Sequence, residues 1–299
     1  MSDRVIRAIT IDGSFRVIAV RTTDLVREAV KKQELGGADA RAFGELLTGS
    51  VLVRETMAPA HRVQVILSRA GHGQMLADAH PDDGKAGALA RGLVNRVNDG
   101  SMDALLGTGG VLKVIRSLPR GQLHQSIVSL DGRVERDGSE TPGPRSMSEA
   151  LMVYMQESEQ VLATLLVATV IEGDRVVAAG GYVVQILPEI QDGPLAVMTE
   201  RLAADFSSID RFLMENEADA VKLKDELLYG MGHETLFEGA IRAGCDCSEQ
   251  RVLTAIATLG RAEIQQIIDQ GEVVSLTCEY CRTPWVITAE RLRNLVHPS

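Results

Sequence analysis

Short segments in which apolar and polar residues alternate dominate the first 188 residues of the chain. Alternation with a period of two predicts strands, and turns such as 12–14 (DGS) and 173–174 (GD) predict that successive strands form hairpins. Strands are predicted at residues 5–20 (a hairpin), 63–67, 111–115, 125–130, 162–171 and 176–187. Helical spacing predicts helices at residues 23–33, 38–53 and 148–160. This region is therefore expected to be an α/β domain rich in antiparallel strands.

A different pattern follows the break at residues 191–194, where apolar side chains recur at steps of three and four residues. Such spacing predicts an amphipathic helix with one apolar stripe. The residues of this apolar stripe are Leu195, Met198, Leu202, Phe206, Ile209 and Leu213. A second helix is predicted at residues 218–228. The polar opposite face indicates that the stripe packs on another surface, most simply that of the first domain. These helices form a connector, residues 194–229, for which two interpretations stay open. The connector is either an ordinary packed segment or one whose apolar stripe is uncovered in some states.

All four cysteines lie near the end of the chain, as a C-x-C pair at 245–247 and a C-x-x-C pair at 278–281. Two close pairs, with no cysteine before them, indicate one shared site. A C-x-x-C turn directs two thiolates to one ion, and the two cysteines of an extended C-x-C segment share a side of the backbone. The sequence therefore predicts one zinc ion, although the C-x-C sulfurs can also reach each other. The predicted ligands are Cys245, Cys247, Cys278 and Cys281.

Composition limits what the chain is expected to do. The 299 residues are 45% hydrophobic but 3% aromatic, which suits a large and a small domain with aliphatic cores. The net charge of −10 disfavours nucleic acid as a partner. Neither a signal-peptide pattern nor an apolar run of about 18 residues is visible, so a cytoplasmic protein without membrane contact is expected. In a reducing compartment, clustered cysteines favour metal binding or redox sensing over permanent disulfides.

Residues 241–299 hold few large apolar side chains, so a bound metal is expected to stabilise them. Other chemistry has little support. The glycines at 105–112 match no G-x-x-x-x-G-K-[ST] motif, and His72 and His80 lack partners at ligand spacing. No G-x-S-x-G or H-E-x-x-H motif occurs either, so an enzyme is not expected. An iron–sulfur cluster, or a zinc ribbon that only scaffolds protein or nucleic-acid contacts, stays open as an alternative for the four cysteines.

The cysteine spacing, placed after a helical connector and an α/β domain, resembles the heat-shock protein 33 family of redox-regulated chaperones. Two further stretches are similar to that family. Residues 156–160 (QESEQ) resemble its Q-S-E-Q segment. Residues 177–182 (VAAGGY) with 185–188 (QILP) resemble its A-x-G-G-[FY]-x-x-Q-x-[LM]-P stretch. The stretch 54–69 departs from the family pattern.

The resemblance implies an ATP-independent chaperone that binds unfolding proteins under oxidative stress. It implies a reduced, zinc-bound form that is inactive and an oxidised form that has released zinc and is active. It also implies that oxidation pairs Cys245 with Cys247 and Cys278 with Cys281, and that a reduced monomer becomes an oxidised homodimer. The apolar stripe of the connector is then the expected client-binding surface.

The expected fold class is α+β, with three segments along the chain. Residues 1–190 form the N-terminal chaperone domain, an α/β domain with antiparallel sheets. Residues 191–240 form a helical, redox-sensitive linker. Residues 241–299 form a small C-terminal zinc-binding domain that acts as the redox switch.

Overall fold

The computed structural model describes residues 1–82, 87–97, 100–117, 121–134, 139–188, 190–271 and 273–296. Backbone packing divides the chain into two compact units, Met1–Ala243 and Gly244–Ser299. Both units mix helices and strands, which confirms the predicted α+β class. Within the described part of the chain, no helix combines the length and the apolar content needed to cross a membrane.

The first unit contains most of the secondary structure. Its strands are β1 (Arg4–Thr10), β2 (Phe15–Arg21), β3 (Val63–Arg69), β4 (Gly73–Pro81), β5 (Gly87–Arg96), β6 (Gly110–Ser117), β7 (Leu123–Ser129), β8 (Arg133–Val134), β9 (Glu140–Thr141), β10 (Ala163–Glu172), β11 (Arg175–Ile186) and β12 (His233–Ala243). Its helices are α1 (Thr23–Lys32), α2 (Gly37–Thr56), a 3-10 turn (Met102–Leu105), α3 (Met147–Glu157), α4 (Asp192–Ala204), α5 (Asp210–Glu215) and α6 (Ala220–Leu227).

Ten of these strands form one sheet in the order β10-β11-β2-β1-β12-β5-β4-β3-β6-β7. Among the described strands, neighbours in this sheet are antiparallel except β12 and β5, which run parallel. The predicted hairpins β1–β2, β3–β4 and β10–β11 are confirmed. Gly13 and Gly173, with φ of 71° and 59°, provide the left-handed turn positions that two of these hairpins require.

One face of the sheet is covered by α2, which lies at the centre of the main hydrophobic core. Phe43, Leu46 and Leu47 of this helix are fully buried. Each such side chain stabilises the fold by roughly 1.5–3 kcal/mol relative to an exposed one. Gly49 lets α3 approach closely, because a Cβ at this position would lie 2.4 Å from Leu151 Cδ1.

Helices α4, α5 and α6 cover the other face where it is formed by β10, β11, β2 and β1. A second core lies between these helices and the sheet, and Phe15, Val17 and Tyr182 supply its strand side. The connector is therefore part of the first unit by packing. The functional division at residues 190 and 240 stays a prediction.

The prediction of one continuous helix for the apolar stripe is wrong. Helix α4 ends at Ala204 and α5 begins at Asp210. Ser208 Oγ donates a hydrogen bond to Asp210 Oδ2 at 2.8 Å. Local side-chain bonds of this kind compete with the helical backbone pattern. The second predicted helix is confirmed as α6.

Strand β12 differs most from the sequence-based expectation, which places most of it in a helical linker. Of its eleven residues, Gly239 and Ile241 are buried and most others are exposed. Alternate positions in its second half are buried or partly buried, but Gly239 and Ala243 occupy two of them, so the apolar alternation is too weak to predict a strand. Its position in the sheet depends on backbone pairing with distant segments.

The second unit is small. It contains α7 (Glu249–Ile256), α8 (Arg261–Asp269), β13 (Val274–Thr277), β14 (Pro284–Ile287) and α9 (Ala289–Val296). Strands β13 and β14 form an antiparallel hairpin. Among the described side chains, its core consists of Ile256, Ile264, Ile268, Ile287 and Leu292. A core of this size gives a marginal fold without a further constraint.

Candidate metal centre

The C-x-C pair follows strand β12 directly, since one residue, Gly244, separates the strand from Cys245. The segment leads into α7, whose first turn is capped by Ser248 accepting a hydrogen bond from Arg251 N at 3.3 Å. Asp246, between the two cysteines, forms an ion pair with Arg251. The start of α7 thus holds the C-x-C segment in place.

The C-x-x-C pair occupies the turn between β13 and β14. Cys278 N donates to the Thr283 carbonyl at 2.9 Å, and Arg282 N donates to the Cys278 carbonyl at 2.8 Å. Arg282 takes a left-handed conformation with φ of 59°. These two bonds close a tight turn that brings the Cys278 and Cys281 sulfurs together.

The two pairs meet at one place. All four sulfur atoms lie within 4.8 Å of one another. Cys245 Sγ is 3.7 Å from Cys278 Sγ, and Cys247 Sγ is 3.3 Å from Cys281 Sγ. Both contacts join one pair to the other and exceed the roughly 2.05 Å of a disulfide bond. None of these four described cysteines is joined to another by a disulfide bond in this structure.

The donor set suits a tetrahedral zinc ion. Four thiolates about 2.3 Å from one ion lie about 3.8 Å from each other, close to the shorter separations seen here. Four sulfur ligands also leave no open coordination position, which is typical of structural rather than catalytic zinc. The arrangement is compatible with the predicted zinc site, and the identity of the ion stays a prediction.

The thiols differ in acidity. Burial raises the pKa of Cys247, and the sulfurs of Cys281 and Cys245 raise it further. Burial also raises the pKa of Cys278. Burial opposes ionisation of Cys281 too, but hydrogen bonds with the Thr283 hydroxyl and backbone help to lower its pKa to about 6. Because burial favours the neutral thiols of Cys247 and Cys278, a metal ion bound by these sulfurs must displace their protons.

Comparison with known proteins assigns the family. The sequence model of the family described as "Hsp33 protein" matches residues 3–288, which is nearly the whole chain. The chain belongs to the Hsp33 family. Hsp33 is a family of chaperones rather than of enzymes, and the resemblance inferred from the cysteine spacing is confirmed.

Relatives and a solved structure agree with this assignment. The 33 kDa chaperonin of Thermodesulfovibrio yellowstonii is 28% identical over 98% of this chain and 99% of its own length. The 33 kDa chaperonin of Clostridium beijerinckii is 28% identical over 100% of both chains. The crystal structure of the 33 kDa chaperonin from Thermotoga maritima is 22% identical, with a TM-score of 0.77, and covers 99% of this chain and 98% of that one. The relatives' names support a chaperone function, and the crystal structure supports the Hsp33 fold.

The predicted client-binding stripe is largely covered in this conformation of the Hsp33 chain. Four of its residues are buried against the sheet, namely Met198, Phe206, Ile209 and Leu213. Leu195 and Leu202 are partly exposed. The structure brings most of the stripe to one surface, and its role in client binding stays a prediction.

Two buried donors that sequence reasoning missed fix the joints between the connector helices. The Tyr182 hydroxyl donates to the Phe206 carbonyl at 3.0 Å, beyond the end of α4. Arg21 Nε donates to the Glu217 carbonyl at 3.2 Å, between α5 and α6. Tyr182 lies in the family-like stretch 177–182, which was the available signal. No sequence pattern indicates the role of Arg21, because the group that accepts its hydrogen bond is a backbone carbonyl far away in sequence.

The other candidates from the sequence do not gather into sites. The four cysteines are the one group of three or more potential metal ligands that lies close together within the described part of the chain. His72 Nδ1 lies 3.1 Å from the Ala70 carbonyl, and His80 Nδ1 lies 3.0 Å from the Pro81 carbonyl. Gly110 starts strand β6, as expected for a turn that leads into a strand rather than a helix.

Proposed function

We propose that this chain is a redox-regulated, ATP-independent chaperone that binds unfolding proteins when its cysteines are oxidised. The observation that carries the proposal is the meeting of four sulfurs in a unit with a small core, in a chain of the Hsp33 family. In the reduced state Cys245, Cys247, Cys278 and Cys281 hold one zinc ion. That ion stabilises the fold of the second unit, because binding and folding of such modules are coupled.

The redox step takes place on sulfur. Two cysteine thiols and one molecule of hydrogen peroxide give one disulfide and two molecules of water, so each disulfide removes two electrons from its sulfur pair. We assign the disulfides as Cys245 with Cys247 and Cys278 with Cys281. Disulfide sulfurs no longer act as thiolate ligands, so the second unit loses its metal and unfolds. Dithiol reductants of the cytoplasm, where we place the protein, reverse the step.

Oxidation then uncovers the connector surface. The apolar stripe and the sheet beneath it are buried against each other in the reduced state. Undocking of α4 and α5 would expose Met198, Phe206, Ile209 and Leu213 together with strand residues such as Phe15. Contiguous apolar surface of this kind binds unfolded chains without sequence specificity. The active state is proposed to be a homodimer, and the reduced state a monomer.

The test compares wild-type protein and Cys278→Ser in reduced and peroxide-treated forms. Suppression of aggregation of a thermally unfolded test protein is measured by light scattering without ATP, and zinc release by a colorimetric chelator. Oxidised wild type is expected to suppress aggregation and to release one zinc ion, and reduced wild type to do neither. Cys278→Ser is expected to bind zinc poorly and to be active without oxidant.

The control variant is Ser275→Ala, an exposed change on the same hairpin that leaves all four sulfurs. It is expected to behave as wild type. Equal activity of reduced and oxidised wild type would contradict the redox switch. Retention of zinc under mild oxidants would instead support a purely structural four-cysteine site.

A further inference from the structure

Strand β12 has an unusual place in the fold. It lies in the middle of the ten-stranded sheet and joins its two halves. It pairs antiparallel with β1 over β1's full length, from Arg4 opposite Ala240 to Thr10 opposite His233. Its ladder with β5 is parallel and, among the described residues, involves the four positions 240–243. Removal of β12 would therefore leave two strand edges facing each other.

Few side chains anchor this central strand, and one of them is Arg242, which forms an ion pair with Asp82. Ile241 is buried in the main core, with 3% of its surface exposed, whereas Leu236 is 57% exposed. The Phe237 ring packs under the Arg7 guanidinium at 4.2 Å. The Arg4–Glu238 ion pair of 3.0 Å is exposed, and exposed pairs contribute little. Backbone hydrogen bonds with β1 and β5 thus hold much of β12, whose apolar packing consists of the buried Ile241 with Phe237 and Ala243 partly packed against the core.

The strand is also tied to the redox site by the chain itself. Gly244 alone separates its last residue from Cys245. At its other end, residues 228–232 link it to α6 of the connector. In the proposed active state the cysteine unit that follows β12 unfolds, and α4 and α5, which precede α6 in the connector, undock from the sheet. No other strand of the sheet, among those described, is joined to the cysteine unit in this way.

We propose that β12 leaves the sheet when the cysteine unit unfolds, and that the slot between β1 and β5 then binds an extended segment of an unfolded protein. The proposal rests on the function proposed above and assigns it a second mode of client binding. Recognition in the slot is by backbone hydrogen bonds, because the edges of β1 and β5 would present unpaired N–H and C=O groups.

The slot also indicates which segments fit best. Phe237 and Ile241 lie four positions apart, on the face of β12 that contacts the main core. A bound segment is therefore expected to carry apolar or aromatic side chains at alternate positions. Arg4 and Arg7, which lose Glu238 and Phe237, favour an acidic or aromatic neighbour. Backbone pairing makes such binding tolerant of sequence, as unfolded clients require.

Hydrogen–deuterium exchange at single-residue resolution tests the proposal on wild-type protein. The client probe is reduced, carboxymethylated α-lactalbumin, which stays unfolded in buffer. Oxidation is expected to speed exchange at least about tenfold in β12 and in the amides of β1 and β5 that face it. Addition of the probe is expected to restore protection in β1 and β5 but not in β12.

Three outcomes would overturn the proposal. If β12 stays protected in oxidised protein that suppresses aggregation, the slot does not form, although the proposed function stands. If β1 and β5 regain protection without the probe while a dimer forms, the occupant is a second copy. If the probe binds without restoring their protection, clients bind elsewhere. Absence of aggregation suppression would instead refute the proposed function itself.

A variant pair tests the coupling of β12 to activation. Ile241→Ala weakens the buried anchor, whereas Leu236→Ala changes an exposed residue of the same strand. At a fixed peroxide concentration, Ile241→Ala is expected to become active several-fold faster than wild type, and Leu236→Ala at the wild-type rate. Retention of zinc by both reduced variants shows that their cysteine units are folded. Equal activation rates for the two variants would argue against β12 release.

Discussion

The two units of this chain achieve stability by different means. The first unit buries apolar side chains on both faces of a ten-stranded sheet, around residues such as Phe43 and Tyr182. The second unit has five buried side chains among those described, beside a cluster of four thiols. The core of the first unit around α2 is therefore expected to keep its fold without metal or after oxidation, although α4, α5 and β12 are proposed to detach from it. The second unit is expected to depend on both metal and oxidant. A switch of this kind needs such a contrast, because one part must unfold while the other keeps its fold.

Metal removal should give the largest difference between the units. Apparent binding free energies of structural zinc are roughly 10–16 kcal/mol at pH 7, far more than a small core supplies. Trp285 on β14 is the single tryptophan of the chain, so its fluorescence reports on the second unit alone. Chelation of zinc is expected to shift its emission to longer wavelength, while circular dichroism keeps most of the strand signal of the first unit, because β12 is one of ten strands in the sheet.

Addition of excess zinc to the reduced, chelated protein serves as the control and is expected to restore the emission. Unchanged Trp285 emission after complete metal removal would contradict the contrast between the units. A simultaneous loss of the sheet signal would show that the first unit also depends on the metal.

Much of this contrast could be predicted from the sequence. The hairpins and the cysteine cluster have local signals, namely apolar alternation and close spacing, and the structure brings the four predicted cysteines together. The break at Ser208 and the strand β12 have no such signals. Strand β12 depends on pairing with β1 and β5, which are far away in sequence. The break depends on the local Ser208–Asp210 side-chain bond together with Tyr182, which donates to the Phe206 carbonyl. The elements that periodicity failed to predict are those that we propose to move.

The free energy of unfolding of the first unit is expected to depend on pH. Burial is the main cause that raises the pKa of Glu45 to about 7 from 4.5; Asp210 raises it further and Arg41 opposes the shift. The folded state thus holds this proton more tightly than the unfolded state. The stabilisation is present in full below pH 4.5 and is lost as pH rises through about 7. Between pH 6 and 8 the free energy of unfolding should fall by about 1 kcal/mol.

Urea unfolding of the reduced, zinc-loaded protein at a series of pH values, followed by circular dichroism, measures how the free energy of unfolding changes with pH. Glu45→Gln is expected to flatten the dependence, and the exposed change Glu200→Gln to leave it as in wild type. Trp285 emission should stay constant over the same range before urea is added. If the free energy of unfolding of Glu45→Gln depends on pH as steeply as that of wild type, another titrating group is responsible for the pH dependence.

The smallest expected effect is on the docking of the connector helices, through which unfolding of the second unit is proposed to uncover the client-binding surface of the first. Tyr182→Phe removes the hydroxyl that donates to the Phe206 carbonyl and keeps the buried ring. Loss of one such hydrogen bond costs about 1 kcal/mol, which favours undocking of α4 and α5 about fivefold. The variant is therefore expected to need less peroxide or a lower temperature for activation, with unchanged zinc affinity in the reduced state.

Tyr229→Phe is the matched control, since Tyr229 is 74% exposed. Activation is followed by suppression of aggregation over a series of peroxide concentrations. If both variants have the wild-type midpoint, docking of the connector does not limit activation, and the metal site alone sets the threshold.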